Sequence, residues 1–198
     1  RDPLKDDKFA ANPSDRCYIC KKGLYSSIKK MMASRGFDAI LDGTNADDLS
    51  DHRPGMRALE ELDIATPYLR FNISKEDIRS LSKYFHLQVH SKPSMACFSS
   101  RISFGETINE EKLRMIRESE RFLRTEFSLS QLRVRYHENA LARIEITKNE
   151  WQKVLSQENL GKIEEKLKEI GFRFVALDLE GFRSGSMNKT LNRGDLQE

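Results

Sequence analysis

Over residues 21–35 the apolar positions Leu24, Ile28, Met31 and Met32 recur at helical spacing and Gly36 follows, which predicts a helix with one apolar face. Phe37-Asp38-Ala39-Ile40-Leu41 reads as a short buried strand running into the polar stretch Asp42-Gly43-Thr44-Asn45-Ala46-Asp47-Asp48. A helix over 55–62 and a short strand around 64–69 come next. A further helix then runs to about Phe85, opened by Ser74 with Asp77 as its capping partner. Helix, strand, helix, strand, helix is α/β order and predicts an open parallel sheet.

The pattern changes after a serine-rich, linker-like segment over 92–105 that holds Pro93 and Gly105. Residues 110–127 form a charged amphipathic helix. Residues 131–137 alternate strictly, turn through Glu138-Asn139 and return over 141–146, which predicts a hairpin with one apolar and one charged face. A long helix over 149–170 ended by Gly171, then a strand over 174–179, complete an α+β half. The expected division is a domain over 1–91 and a smaller one over 92–198.

Composition narrows the function classes. The chain has 198 residues and a formal net charge of +3, too weak a basic balance to argue for nucleic acid. No apolar run approaches the roughly 20 residues that span a bilayer, and no leader peptide is visible, so the expectation is a soluble, cytoplasmic protein. The start, Arg1-Asp2-Pro3 followed by a polar stretch to Arg16, is expected of a processed product or a fragment.

Three cysteines, Cys17, Cys20 and Cys97, are an odd number and do not form a secreted disulfide framework. Arg16, Lys21 and Lys22 flank the C-x-x-C pair. Cys97 lies in Ser94-Met95-Ala96-Cys97-Phe98-Ser99-Ser100-Arg101, beside hydroxyls and a guanidinium. Positive neighbours favour the thiolate, which attacks or binds metal. Three thiolates in electropositive loops suit a nucleophile with a resolving pair, or a cubane cluster with one iron left open. Zinc would need a fourth ligand, for which His90 and His137 are candidates.

Elsewhere, Asp42 and Gly43 lie at a strand's carboxyl end, where open α/β sheets bind ligands. The acidic group Asp42, Asp47, Asp48 and Asp51 beside Arg53 suits a nucleotide or magnesium ion; a plain turn explains the same residues. On the hairpin, Arg133, Arg135 and His137 share one face, which suits phosphate or carboxylate, or a solvated face neutralised by Glu138 or Glu145. Arg183, in the turn over 181–186, is a further phosphate candidate.

These residues resemble the LarE family. The resemblance rests on Ala10-Ala11-Asn12-Pro13-x-Asp15-Arg16-Cys17-x-x-Cys20-Lys21, on Leu41-Asp42-Gly43-Thr44-Asn45-Ala46-Asp47-Asp48, and on Asp51-x-Arg53-Pro54-Gly55. It continues through Lys92-Pro93-Ser94-x-Ala96-Cys97-x-x-Ser100-Arg101, Arg133-Val134-Arg135-x-His137 and Gly181-x-Arg183-Ser184-Gly185-x-Met187-Asn188. The motifs run in order over nearly the whole chain.

The resemblance implies an α/β PP-loop ATP-pyrophosphatase domain, truncated here, followed by an α+β domain. It implies sulfur insertion in the synthesis of the nickel-pincer nucleotide, the cofactor of lactate racemase. ATP, with Mg2+, adenylylates a carboxylate of pyridinium-3,5-biscarboxylic acid mononucleotide and releases pyrophosphate; a sulfur then displaces AMP and leaves a thiocarboxylate. In one branch of the family the sulfur comes from a single sacrificed cysteine, and in another a 4Fe–4S cluster on three cysteines relays sulfide. Cysteine at all three positions favours the cluster, while Cys97 also occupies the place of a sacrificial donor.

Beside that resemblance, Ser100, Arg101, Arg133, Arg135 and Arg183 are expected to bind substrate or phosphate, and Asp42, Gly43 and Asp47 nucleotide and magnesium. Glu120 and Glu145 are candidates for a divalent ion, set against the plainer reading of solvated carboxylates. Homo-oligomers are expected, with neither nucleic acid nor membrane as partner. The superfamily's Ser-Gly-Gly-x-Asp-Ser phosphate loop is absent from these residues, so this chain alone is not expected to turn over ATP. A tRNA thiolase of the same superfamily would need a stronger basic surface and more cysteines; a non-catalytic metal-binding module would not need the phosphate loop at all.

Overall fold

The computed structural model describes residues 2–50, 53–92, 96–183 and 185–190. The chain divides into two units, one built on residues 2–9 and 13–92 and the other on 96–190 together with Ala10–Asn12. No helix among the described residues is long and apolar enough to cross a membrane.

After a single turn, α1 (Asp7–Ala10), the first unit is carried by α2 (Arg16–Arg35) and α3 (Gly55–Glu61), followed by α4 (Pro67–Arg70) and α5 (Lys75–Tyr84). Gly36 ends α2 in the left-handed conformation at φ +70°, its N–H bonded to the Met32 carbonyl. The buried face of α2 is that of Tyr25, which packs with Leu59 and Ile64 and is flanked by Ile28, Ile40 and Leu62. Leu24 and Met31 remain nearly half exposed. Gly55 lies where α3 meets α2: a Cβ there would lie 3.0 Å from Lys21 Cδ, a flexible side chain, and 3.5 Å from the Cys17 carbonyl oxygen. Ser74 and Asp77 form the expected reciprocal capping box on α5.

The expected parallel sheet does not form among the described residues of this unit. In place of a strand over 37–41 there is one parallel bridge, Leu41 to Ala65. Ala65 N–H donates to the Ile40 carbonyl at 3.1 Å and Asp42 N–H to the Ala65 carbonyl at 2.9 Å. A buried strand needs a ladder and two covered faces; Phe37 and Leu41 are instead exposed.

The second unit contains α6 (Glu110–Phe127), β1 (Leu132–His137), β2 (Leu141–Ile146), α7 (Gln157–Ile170) and β3 (Phe174–Leu177). β1 pairs antiparallel with β2, Val134 opposite Ile144, and β3 joins β2 in parallel, Ala142 opposite Val175. One face of the sheet packs Leu132, Val134, Ala142, Ile144 and Ile146 against Leu123 and Phe127 of α6 and Ile163 and Leu167 of α7. Trp151 packs at the edge of this core. The long helix expected over 149–170 is broken. Lys148–Lys153 is a 3-10 turn, and Ser156 starts α7 anew by accepting from the Asn159 N–H.

The segment expected as a linker is partly folded. Phe98–Arg101 forms a 3-10 turn with Ser99 and Arg101 buried, and Ile102 bridges in parallel to Tyr136. Asn12 fastens its own segment here, its amide Nδ2 donating to the carbonyls of Ser103 at 2.6 Å and Glu106 at 3.0 Å. Asn12 itself is fully buried.

Candidate functional site

In the second unit the site is assembled around the turn that carries Cys97. The residue is exposed and its thiol is in no disulfide. Its carbonyl oxygen accepts from the Ser100 N–H at 3.0 Å, the Ser100 hydroxyl at 2.6 Å and Arg101 Nη1 at 2.9 Å. Arg101 Nη1 also donates to the Ala96 carbonyl. The rest of that guanidinium is held by Glu120, with Nε to Oε1 at 3.0 Å and Nη2 to Oε2 at 3.4 Å. Glu120 Oε1 accepts the Val134 N–H as well, at 3.1 Å. Arg101 and Glu120 are 7% and 3% exposed at their side chains, so this is a buried, fork-shaped ion pair.

A second arginine reaches the same turn from the hairpin. Arg135 Nη1 donates to the Ser100 carbonyl at 2.9 Å, and its Nη2 donates to Glu145 Oε2 at 2.9 Å and to Ser186 Oγ at 2.7 Å. Ser186 in turn donates to Glu145 Oε1 at 2.6 Å. Burial pulls the Arg135 guanidinium down to about 10, the Glu145 carboxylate opposing that fall.

Arg143 extends the network. It donates to Glu145 Oε1 at 2.9 Å, to Asp178 and to His137 Nε2 at 3.0 Å. Because arginine only donates, His137 Nε2 is the accepting nitrogen, and Nδ1–H faces Ser103 Oγ at 2.8 Å. Burial, then the charges of Arg143 and Arg135, hold His137 below its ordinary value, in the neutral form. Asp178 also receives Arg183 at 3.2 Å, and Arg183 is paired with Glu180.

Arg133 stands apart from these pairs. Half-buried, it lies over the Phe182 ring, its guanidinium carbon 4.8 Å from the centroid. Burial and the nearby Arg101 charge lower its affinity for its proton. It makes no salt bridge among the described residues, which leaves a guanidinium whose planar fork suits an anion.

In the first unit Cys17 and Cys20 sit in the opening turns of α2 rather than in a loop, three residues apart and so on one helix face. The flanking positive charge is largely compensated. Lys22 pairs with Glu61 at 2.7 Å, and Lys21 with Asp42 at 3.2 Å. Arg57 lies over the Tyr18 ring, 4.0 Å from its centroid.

Asp42 is saturated with donors. Its Oδ1 takes the Thr44 N–H at 2.8 Å and the Thr44 hydroxyl, and its Oδ2 takes the Tyr25 hydroxyl and Lys21. Burial alone would raise this carboxyl, but the bonds from Thr44 and Tyr25 and the Lys21 charge bring it down to about 2. Asp47 accepts the Lys75 N–H at 2.7 Å at the start of α5. Asp48 pairs with Arg53 at 2.7 Å. Gly43 is exposed, with open space where a Cβ would project.

Two expectations, of solvated carboxylates and of a solvated hairpin face, need correction. Glu120 and Glu145 are not solvated; they are 2% and 0% exposed and neutralise arginines. The charged face of the hairpin is not a solvated face either, because Arg135 and Glu145 are buried in it. Both ring nitrogens of His137 have partners, which leaves neither open to zinc in this arrangement. Within either unit, among the described residues, no group of three or more His, Cys, Asp or Glu side chains comes together as a metal site.

Asp51, Pro93, Ser94, Met95 and Ser184 lie outside the described residues. The sequence reading missed Asp178, Ser186 and Tyr25. Asp178 follows directly on β3, a strand-end position that could have flagged it.

No protein-family model matches the chain. It is 36% identical over 190 residues to an uncharacterized protein of Synechocystis sp., covering 96% of this chain and 70% of that relative. An uncharacterized protein of Methanocaldococcus jannaschii is 38% identical over 181 residues, 91% of this chain and 69% of the relative. A third relative, from Lactiplantibacillus plantarum, is 34% identical over 195 residues, 98% of this chain and 69% of its own length. It is named pyridinium-3,5-bisthiocarboxylic acid mononucleotide synthase. The fold class is thus a mixed α/β protein with a small three-stranded sheet. The chain belongs to the LarE-type pyridinium-3,5-bisthiocarboxylic acid mononucleotide synthase family.

Proposed function

We propose that the protein inserts sulfur into pyridinium-3,5-biscarboxylic acid mononucleotide, converting its carboxylates to thiocarboxylates for nickel-pincer cofactor synthesis. The observation that carries this reading is an exposed Cys97 on a turn whose carbonyls are clamped from beneath by two buried arginines. A thiol held at a fixed place and open to solvent suits sulfur delivery to a bound acyl group.

In this reading ATP, with Mg2+, transfers an adenylyl group to a substrate carboxylate, and pyrophosphate leaves. A sulfur nucleophile then attacks the acyl carbon, the acyl–oxygen bond breaks and AMP departs. Arg133, with Arg183 nearby in sequence to Phe182, is assigned to the anionic groups of the substrate. Asp42, Gly43 and Asp47 are assigned to the nucleotide side, where Asp42 acts through the Thr44 turn that it organises. Ser100, Arg101 and Arg135 hold the Cys97 turn.

The chemistry of the donors suits a 4Fe–4S cluster: Cys17, Cys20 and Cys97 are in no disulfide, and two of them are three residues apart at the start of one helix. Bound to these three thiolates, such a cluster would supply sulfide carried at its open iron. The family's other route, sacrifice of the Cys97 sulfur, uses the same turn.

The test is incubation of protein expressed from its complete gene with ATP, the biscarboxylate mononucleotide and sulfide after anaerobic reconstitution with iron. Thiocarboxylate product by mass spectrometry is the expected result. An iron–sulfur absorption band lost in each of Cys17→Ala, Cys20→Ala and Cys97→Ala favours relay. A colourless, active protein that loses one hydrogen sulfide from Cys97 favours sacrifice. Absence of product from folded protein on both routes overturns the reading.

A further inference from the structure

Arg101 is buried and faces inward, its guanidinium divided between two jobs. One edge is gripped by Glu120, and the remaining nitrogen holds the Ala96 and Cys97 carbonyls. Glu120 is fixed in turn: it projects from α6, is 2% exposed, and accepts the Val134 N–H of β1. A bidentate pair sets both the direction and the rotation of a guanidinium, so the position of Nη1 is dictated by where Glu120 stands. The Arg101 guanidinium also lies 5.0 Å from the Phe98 ring centroid, on the residue after the cysteine. The arrangement runs from helix to carboxylate, guanidinium and peptide carbonyls, and ends at an exposed thiol.

We propose that Glu120 is a positioning residue for Cys97, acting through Arg101 to fix the peptide from which the thiol projects. This assigns Glu120 a role that touches neither substrate nor nucleotide. Neutralising Arg101 is half of that role, because an unpaired buried guanidinium would turn towards water and release the carbonyls it holds. Directing its free edge is the other half. The inference rests on the reading of Cys97 as the residue that delivers sulfur, but its first measurement does not depend on that reading.

The experiment is the rate of alkylation of Cys97 by iodoacetamide, followed by mass spectrometry on the peptide. Cys17 in the same tube is the internal control. The proteins are the full chain, Glu120→Gln, and the paired replacement Arg101→Met with Glu120→Leu, each checked for folding by circular dichroism and urea denaturation. Glu120→Gln keeps the shape but places an amide N–H against the guanidinium. The paired replacement removes the buried charges together, an exchange that restores packing without restoring the bonds to Ala96 and Cys97.

The expected result is a several-fold change in the Cys97 rate in both, with the Cys17 rate unmoved and the paired variant as stable as the parent. In sulfur insertion by protein from the complete gene, kcat falls about tenfold or more in Glu120→Gln while KM holds. A folded paired variant whose Cys97 rate equals the parent's overturns the proposal, whatever Glu120→Gln does. A changed Cys97 rate in a parent protein that inserts no sulfur leaves the positioning intact and removes the function proposed above.

Discussion

Arg135 of β1 and Glu145 of β2 meet diagonally across the antiparallel ladder at 2.9 Å, their side chains 2% and 0% exposed. Glu145 also receives Arg143, so one carboxylate answers two guanidiniums. Removing it leaves Arg135 buried without a counter-charge. Glu145→Ala is expected to destabilise the protein by about 3–5 kcal/mol in urea denaturation. Replacing Arg135 by Met and Glu145 by Leu together should cost less than Glu145→Ala alone. A double replacement that costs as much as the two single ones summed would mean that the pair is not coupled.

Arg133 offers a test on the binding side. It lies over Phe182 and makes no salt bridge among the described residues, so little of the fold should depend on it. Arg133→Gln should keep the parent's thermal midpoint within a degree or two while weakening binding of the anionic mononucleotide by roughly tenfold, the worth of one charge-assisted bond. Calorimetric titration against the mononucleotide measures it, and unchanged affinity would remove Arg133 from the site.

Acid should act on the first unit through Asp42. Its carboxyl lies at about 2 in the folded chain against an ordinary 3.8, so its contribution is present above pH 4 and lost as pH falls towards 2. Asp42→Asn is expected to cost about 2 kcal/mol at neutral pH, with the difference from the parent closing across that window. Denaturation midpoints of the two proteins at a series of pH values decide it. A gap that stays constant down to pH 2 would show that the charge is not what matters.

His137 should act in the opposite sense to a histidine that gains an acidic partner. Burial and two arginines hold its folded value below 6.5. Above pH 6.5 neither state binds the proton; below it the unfolded chain does and the folded chain does not, so stability drops as pH falls from neutrality. His137→Gln, which keeps a side-chain acceptor for Arg143, should flatten the stability profile between pH 7 and 5. Equal slopes in the two proteins would count against a buried neutral imidazole.

Local patterns carried much of the fold. The alternation in 131–137 and the periodicity in 110–127 name elements that need no partner to be recognised; Asn139 marks the hairpin turn, and Gly36 and Ser74 mark the end of α2 and the start of α5. The apolar run Phe37 to Leu41 misled because hydrophobicity says that a segment wants neighbours, not that it has them. Ser156, an exposed cap inside a helical-looking run, hid the restart of a helix.

The site was legible as a set of residues and not as a set of pairs. Cys97, Ser100, Arg101 and Arg135 stood out by type and spacing. That Arg101 turns inward to Glu120 depends on how α6 packs behind β1, which no spacing records. Arginines that looked destined for phosphate thus serve in large part to hold a peptide turn in place.

Asn12 has a consequence for how the molecule is made. Its amide lies buried against carbonyls, the nearest of which in sequence, that of Ile102, is 90 residues further along. At the usual pace of synthesis the segment Ala10–Asn12 must wait about 5–20 s on the ribosome before its binding place exists. Residues 13–92 of the first unit are synthesised in that interval, so they can fold while Asn12 still lacks the carbonyls that will hold it.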